Sequence, residues 1–357
     1  MEGATTTVGY SLSTASYDSV SFSTVSQDTE PQQILFKPDG TKMYMLGSDT
    51  DTVYEYDLST AFDITTASYQ RSKSVTTEDI FPTGIAFNSD GTKMYITGNV
   101  NDSVFQYSLS TAYDVSTASY DSVSFSVTSQ DTAPYGLWFN SNGTKMFIAG
   151  DTGNDVNEYA LSTGFDITTA SFSQNFSVSA QETNVRHVSF NSDGTNMFVV
   201  GTANDQVHKY TLSTGFDVST ASFSQSFSVA SQETMPQGLA FNADGTKMFV
   251  IGRNEDLVLQ YSSTLTSYTN QMTGTQFDAV TDANHLTLST TMDFMIALKN
   301  ADSTSTSPTS DGVAFNYDAQ SLQQGAVLGT DYNWDFPALN KVRITSLADQ
   351  NLKVRII

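Results

Sequence analysis

The sequence predicts an all-β fold, a five-bladed β-propeller followed by a small antiparallel β-sandwich, on three observations. A string close to Asp-Gly-Thr-Lys-Met-Tyr occurs five times, with its glycines at Gly40, Gly91, Gly143, Gly194 and Gly245, so the spacings are 51, 52, 51 and 51 residues. Self-similarity at such a period is the mark of a repeat architecture. Each unit reads as four short strands, and no stretch keeps a 3.6-residue apolar period. The two ends are complementary: the fifth unit stops after its third strand at Tyr261, while Tyr17–Thr24 is a free-standing fourth strand that nearly copies Tyr120–Val127. One N-terminal and three C-terminal strands would make the fifth blade and leave no free sheet edge. An open solenoid would have no use for complementary halves.

The second unit shows the elements in order. Ile85-Ala86-Phe87 is the first strand, apolar at both outer positions, as are Ile34–Phe36, Leu137–Phe139, Val188–Phe190 and Leu239–Phe241. Asn-Ser-Asp-Gly follows, a tight hairpin in which glycine supplies a positive φ. Met94-Tyr95-Ile96 begins the second strand, which ends at Gly98, and Val104–Leu109 is the third. A polar link, Ser110–Ser119, leads to the fourth strand, Tyr120–Val127, an alternation of Ser with aromatic residues and Val. Phe36, Phe87, Phe139, Phe190 and Phe241, with Met43, Met94, Met146, Met197 and Met248, are expected to pack blade on blade. The propeller is expected over residues 1–262 and a linker over 263–275. The sandwich or jelly-roll-like module is expected over 276–357, from runs at His285–Leu288, Phe294–Leu298, Val313–Tyr317, Val342–Thr345 and Leu352–Ile357.

Composition narrows the function. With 15 Lys+Arg against 38 Asp+Glu the formal charge is −23 in 357 residues, which opposes nucleic acid and anionic membranes alike. There is no cysteine, so thiolate chemistry and Cys-ligated zinc are excluded, and His187, His208 and His285 are too far apart in sequence to suggest a metal site. By composition 47 Ser and 48 Thr make more than a quarter of the chain, the surface of an extracellular β-protein rather than of a Lys/Glu-rich enzyme. No segment is long and apolar enough for a membrane helix, and Met1–Tyr10 has no signal-peptide pattern. An extracellular composition without an export signal suits a protein released within an assembling virion, or equally an ordinary soluble protein.

Candidate sites come from what repeats and what does not. An acid stands at every inter-blade position (Asp28, Asp79, Asp131, Glu182, Glu233), and the loop after the second strand carries Asp51, Asp102, Asn154, Asp205 and Asp256. Together they predict an acidic rim around the channel entrance, suited to sugar hydroxyls or to Ca2+, unless the acids only fix turns. A further acid, Asp63, Asp114, Asp166 or Asp217, recurs on the opposite face. A ring of equivalent acids cannot supply the unequal carboxylate pair of a glycosidase. The symmetry breaks at Tyr135, Trp138, Arg186 and His187, on adjacent blades beside the channel. An aromatic ring and a cationic donor there could hold a sugar or a carboxylate; otherwise these side chains only fill the channel. No Gly-x-Ser-x-Gly elbow, P-loop or His-Glu-x-x-His occurs, and no cofactor is expected.

The run Pro82–Tyr95 resembles the blades of lactonase-like and NHL-like propellers, and the count of five resembles tachylectin-type lectins and five-bladed glycosidases. Leu58–Ser68, Gly329–Pro337 and Leu352–Ile357 resemble stretches of phage and virus fibre or decoration proteins. These resemblances imply fold more than activity. The expectation is a non-enzymatic structural protein of a virion or extracellular surface. Its propeller would contact a host surface or glycans, and residues 276–357 would bind other virion or surface proteins or self-associate into a homo-oligomer. That module carries Lys341, Arg343, Lys353 and Arg355 and is less acidic than the ring. Two alternatives stand: a glycan-active hydrolase or lactonase with an asymmetric channel site, and a scaffold protein with no ligand.

Overall fold

The computed structural model describes residues 9–263 throughout and, beyond them, the backbone of six strands between His285 and Ile356. The chain divides into two compact units, Ala4–Thr266 and a second that holds Ser267–Ile357.

The first unit is a five-bladed propeller. Blade A is formed by β2 (Pro31–Phe36), β3 (Lys42–Gly47), β4 (Thr52–Leu58) and β5 (Ala67–Ser74). Blade B is β6 (Pro82–Phe87), β7 (Lys93–Gly98), β8 (Ser103–Leu109) and β9 (Ala118–Ser126). Blade C is β10 (Pro134–Phe139), β11 (Lys145–Gly150), β12 (Asp155–Leu161) and β13 (Ala170–Ser177). Blade D is β14 (Val185–Phe190), β15 (Asn196–Gly201), β16 (Gln206–Leu212) and β17 (Ala221–Ser228). Blade E is β18 (Pro236–Phe241), β19 (Lys247–Gly252) and β20 (Leu257–Ser263), completed on its outer edge by β1 (Ala15–Ser23). The innermost strands touch in a closed circuit, β2 to β6, β10, β14, β18 and back to β2. Ser263 belongs to β20, so the third strand outlasts the expected boundary by one residue; the remainder of the expected linker lies outside the described residues.

Five buried clusters fill the ring, each drawn from two neighbouring blades. Met43, Met94, Met146 and Met197 are fully buried and Met248 nearly so, as the repeat requires of blade-to-blade packing. Each large apolar side chain withdrawn from water contributes ~1.5–3 kcal/mol.

Turn chemistry explains the most repeated residues. Gly40, Gly91, Gly143, Gly194 and Gly245 sit at φ of +70 to +73°. A Cβ at Gly91 would lie 2.3 Å from the Tyr113 ring, which covers the turn. The covering residue is Phe62, Tyr113, Phe165, Phe216 or Tyr10, itself at positive φ. Tyr10 donates its N–H to Gly245 O (2.7 Å), so the N-terminal closure includes the turn cover as well as the outer strand.

The covering residue's carbonyl is also where the preceding blade is tied on. Tyr44 Oη donates to Tyr113 O, and Tyr95 Oη to Phe165 O. Where that tyrosine becomes Phe147, Phe198 or Phe249, a lysine replaces the hydroxyl: Lys145 donates to Phe216 O, Lys209 to Tyr10 O, and Lys247 to Phe62 O. All five blade junctions therefore carry the same bond by one of two donors.

In the second unit the strands form two antiparallel three-stranded sheets. One has β25 (Lys341–Ser346) between β21 (His285–Thr287) and β23 (Val313–Tyr317). The other has β22 (Phe294–Asn300) between β24 (Asn333–Trp334) and β26 (Leu352–Ile356).

Candidate functional site

Two separate places on the ring axis carry the asymmetry, and the four singled-out residues divide between them. The first is the mouth where the innermost strands begin. Each of these strands has a bulge at its second or third residue, which re-aims the side chains there. The second residues are Gln32, Thr83, Tyr135, Arg186 and Gln237. Beside them stand the first residues of the loops after the second strands: Ser48, Asn99, Asp151, Thr202 and Arg253.

Arg186 lies with its guanidinium carbon 4.1 Å from the centre of the Tyr135 ring and bridges Asp151 at 2.9 Å. Arg253 bridges Glu30 of blade A at 2.7 Å. Burial raises the Tyr135 pKa, Arg186 opposes the rise, Asp151 adds to it, and Arg253 pulls it down as well. Blades C and E are not neighbours in the ring, so the Arg253 charge is felt across the axis. Gln32 donates from Nε2 to Ser48 Oγ (2.6 Å), and Gln237 from Nε2 to Met235 O (3.4 Å). The Oε1 atoms of both amides are buried with no protein donor. Two guanidinium groups and two carboxylates thus share one mouth, with no net charge among them, and the two amide oxygens without a donor lie buried beside it.

The second place is the channel itself, a cavity of about 450 Å³ that opens toward the hairpin face. Its wall includes the variable middle residues of the innermost strands, Leu35, Ala86, Trp138, Ser189 and Ala240. Trp138 is half-buried and stacks on Phe216 (centroids 5.6 Å, planes 25° apart), with Phe190 at 5.0 Å. His187 also lines the channel; neither ring nitrogen has a protein partner, and burial pulls its pKa down to about 3. A Cβ at Gly136 would come within 2.5 Å of His187 Cδ2, so the imidazole occupies room that this glycine leaves. At the same strand position Gln33 is satisfied, accepting from Ile85 N (2.9 Å) and donating to Ile85 O (2.8 Å).

The inter-blade acids are not a solvent-facing rim. Asp28, Asp79, Asp131, Glu182 and Glu233 are all at most 2 % exposed. Each carboxylate accepts backbone N–H groups from its own loop and from the loop after the second strand. Asp79 takes those of Phe81, Val100 and Asn101; Asp131 those of Ala133, Thr152 and Gly153; Glu233 those of Met235, Asn254 and Glu255. Asp28 holds Glu30, Asp49 and Thr50 in the same way, and Glu182 holds Asn184 and Ala203.

Asp51, Asp102, Asn154, Asp205 and Asp256 occupy left-handed turn positions, with φ between 46 and 52°. Burial is the first cause of the raised pKa values of Asp51, Asp102, Asp205 and Asp256. The opposite-face acids Asp63, Asp114, Asp166 and Asp217 cap one-turn 3-10 helices through the N–H two residues on. Among the described residues no group of three or more His, Asp or Glu is placed to hold a metal ion.

Sequence reasoning passed over Arg253, Asp151, Glu30, Gln32 and Gln237. The signal was present: aligned down the repeats, position 253 holds an arginine where the others hold Ser48, Asn99, Asp151 and Thr202. It also passed over His208, buried 3.9 Å from Glu182 on β16, where burial pulls its pKa down to about 4.

No protein-family model matches the sequence, and no curated protein matches it. Among solved structures the chain is similar to a putative 6-phosphogluconolactonase from Bacteroides fragilis (12% identity, 65% of this chain and 80% of that one, TM-score 0.45). It is similar to a protein of unknown function from Desulfotomaculum acetoxidans (11% identity, 63% and 80%, TM-score 0.42). The Cps50 (Swd1) β-propeller domain of Myceliophteria thermophila is a further similar structure (10% identity, 64% and 68%, TM-score 0.39).

Proposed function

We propose that this chain is a non-enzymatic structural protein of a virion or extracellular surface, whose propeller binds uncharged glycans at the Arg186/Arg253 mouth. The observation that carries this reading is the mixed polarity of that mouth. Guanidinium donors alternate with carboxylate acceptors, and two buried amide oxygens lack donors. Sugar hydroxyls donate and accept at once and suit such a network. An anionic ligand would meet two already paired arginines and a chain of formal charge −23. Glycoside hydrolysis needs one protonated carboxyl group beside a second carboxylate, whereas both carboxylates here face a guanidinium. Binding to a panel of neutral and acidic glycans tests this. Neutral glycans should bind, and Arg253→Ala and Gln237→Ala should each weaken them about tenfold, the loss of ~1.4 kcal/mol that one or two hydrogen bonds represent. Binding of acidic glycans alone, or binding indifferent to both substitutions, would overturn the reading.

The two C-terminal sheets, in this reading, pack as a sandwich that attaches the chain to other virion or surface proteins or to further copies of itself. The basic residues clustered late in 276–357 support this. A chain lacking residues 276–357 should keep glycan binding and lose attachment to particles; retained attachment would overturn the anchoring role.

A further inference from the structure

We propose that Asp51, Asp205 and Asp256 are proton-operated latches between blades: each, when protonated, donates its carboxyl hydrogen to a backbone carbonyl of the following inter-blade loop, so that mild acid tightens the ring. The proposal does not rest on the glycan reading, because a latch of this kind needs no ligand.

The blade that differs explains the others. Asn154 stands where the remaining blades have Asp51, Asp102, Asp205 and Asp256. With its amide turned so that both ends are satisfied, Asn154 donates to Thr183 O (2.7 Å), in the loop leading to blade D, and to Asp151 O (3.2 Å), in its own loop. The backbone is alike at all five positions. Each sits at φ of 46 to 52°, and the carbonyl of each accepts the N–H of the equivalent residue at the end of the outer strand: Val75, Val127, Val178, Val229 or Thr24. The repeat therefore sets the carbonyls of Ser48 and Ile80 before Asp51, those of Thr202 and Thr234 before Asp205, and those of Arg253 and Thr29 before Asp256.

A carboxylate cannot make the bonds of the asparagine, because it has no hydrogen to give. In three of the four aspartates, Asp51, Asp205 and Asp256, Oδ1 is buried with no donor. Buried acceptors without a donor are costly. One proton removes the conflict, since a carboxyl group offers one O–H where the amide offers two N–H. Burial raises the pKa of all three groups. At Asp51 the carboxylates of Asp28, Asp49 and Asp79 add to the rise, and Thr76, which donates to Oδ2 (2.8 Å), opposes it. At Asp256 the carboxylates of Asp28, Glu30 and Glu255 add to it and Arg253 opposes it. At Asp205 burial acts alone. Each group thus holds its proton more tightly in the fold than in the unfolded chain. The stability it contributes is complete below the unfolded pKa and is lost as pH rises through the folded one.

Asp205, where no other charge contributes, is the position to test, by thermal melting of the full-length protein near pH 8 and pH 4.5. Asp205→Asn, which supplies its donors at every pH, should raise the melting temperature by about 2–4 °C near pH 8, the shift that one hydrogen bond represents in a domain of this size. Near pH 4.5 the gain should be less than half as large. Asn154→Asp should do the reverse, lowering the melting temperature near pH 8 and recovering in acid. Glu255→Gln removes an equal charge from an exposed loop residue and should give less than half the gain of Asp205→Asn near pH 8. With aspartate carboxyl carbons labelled for NMR, the resonance missing from Asp205→Asn should titrate above the ordinary aspartate value. A variant Asp205→Asn that melts at or below the parent near pH 8, a gain equal at both pH values or matched by Glu255→Gln, or a resonance that titrates at or below the ordinary value would each overturn the proposal.

Discussion

At the scale of single residues, the informative groups are those the repeat does not need. His187 stands where three blades have glycine, and its burial depresses its pKa from 6.5 to about 3. The unfolded chain takes up a proton at this imidazole near pH 6.5, and the folded chain takes it up only near pH 3. Within that window the unfolded state holds more protons, so stability is complete above the unfolded pKa and falls as pH falls. One such group costs ~1.4 kcal/mol per pH unit. His208, pulled down to about 4 by burial, acts in the same direction. Glu182 and Asp155, both raised by burial, act in the opposite one, because they hold protons more tightly in the fold. Urea unfolding near pH 6.5 and pH 4.5 checks the sign. His187→Leu should lose about 2 kcal/mol less than the unsubstituted protein between the two. Equal losses would mean that the folded protein accommodates the imidazolium.

At the scale of elements, loops rather than strands distinguish this ring, and carboxylates hold the loops. Asp79 gathers three backbone N–H groups from two loops that share no strand hydrogen bonds. Asp79→Ala would leave those donors without their acceptor and should cost about 3 kcal/mol. Asp166→Ala, which removes only the cap of a one-turn helix on the other face, should cost about 1 kcal/mol. Similar losses on chemical denaturation would refute the distinction between stapling and capping. The same acids show how far the sequence could be read. Their recurrence was plain, since each lies about one repeat from the next, but whether they face solvent or backbone depends on a loop about 20 residues away. The lysine-for-tyrosine exchange at the blade junctions was hidden for a related reason. Lys145 and Phe216 are 71 residues apart, and no local pattern marks the carbonyl that both a hydroxyl and an ammonium can reach. The hairpin glycines, the apolar alternation and the free outer strand are local signals, and they were enough for blade count and closure. Of the candidate ligand residues the sequence found the symmetry breaks but not their grouping. Tyr135 and Arg186 share the mouth, whereas Trp138 and His187 face the channel, because one bulge per strand separates the two directions.

At the scale of the whole molecule, closure depends on a segment far from its sheet in sequence. β1 pairs with β20 from Ala15↔Ser263 to Ser23↔Leu257, across more than 230 residues. The segment also brings Tyr10 over the Gly245 turn, the Tyr10 carbonyl that Lys209 of blade D holds, and Leu12, buried with blades D and E. Loop closure over that length is entropically costly, but the cost grows only logarithmically with length. The reward is the burial of Phe22 and Val20 against the blade E/A cluster and the pairing of an otherwise open edge. Removal of residues 1–23 should therefore do more than shorten a strand. It would expose β20, untie blade D from blade E, and leave the Gly245 turn uncovered. The truncated chain should melt well below the full one and associate through the exposed edge. A synthetic peptide spanning residues 9–25 should then restore monomers and raise the melting temperature in proportion to the logarithm of its concentration. If the truncated chain melts with the full-length protein and ignores the peptide, β1 is an ornament on a ring that the innermost strands already close.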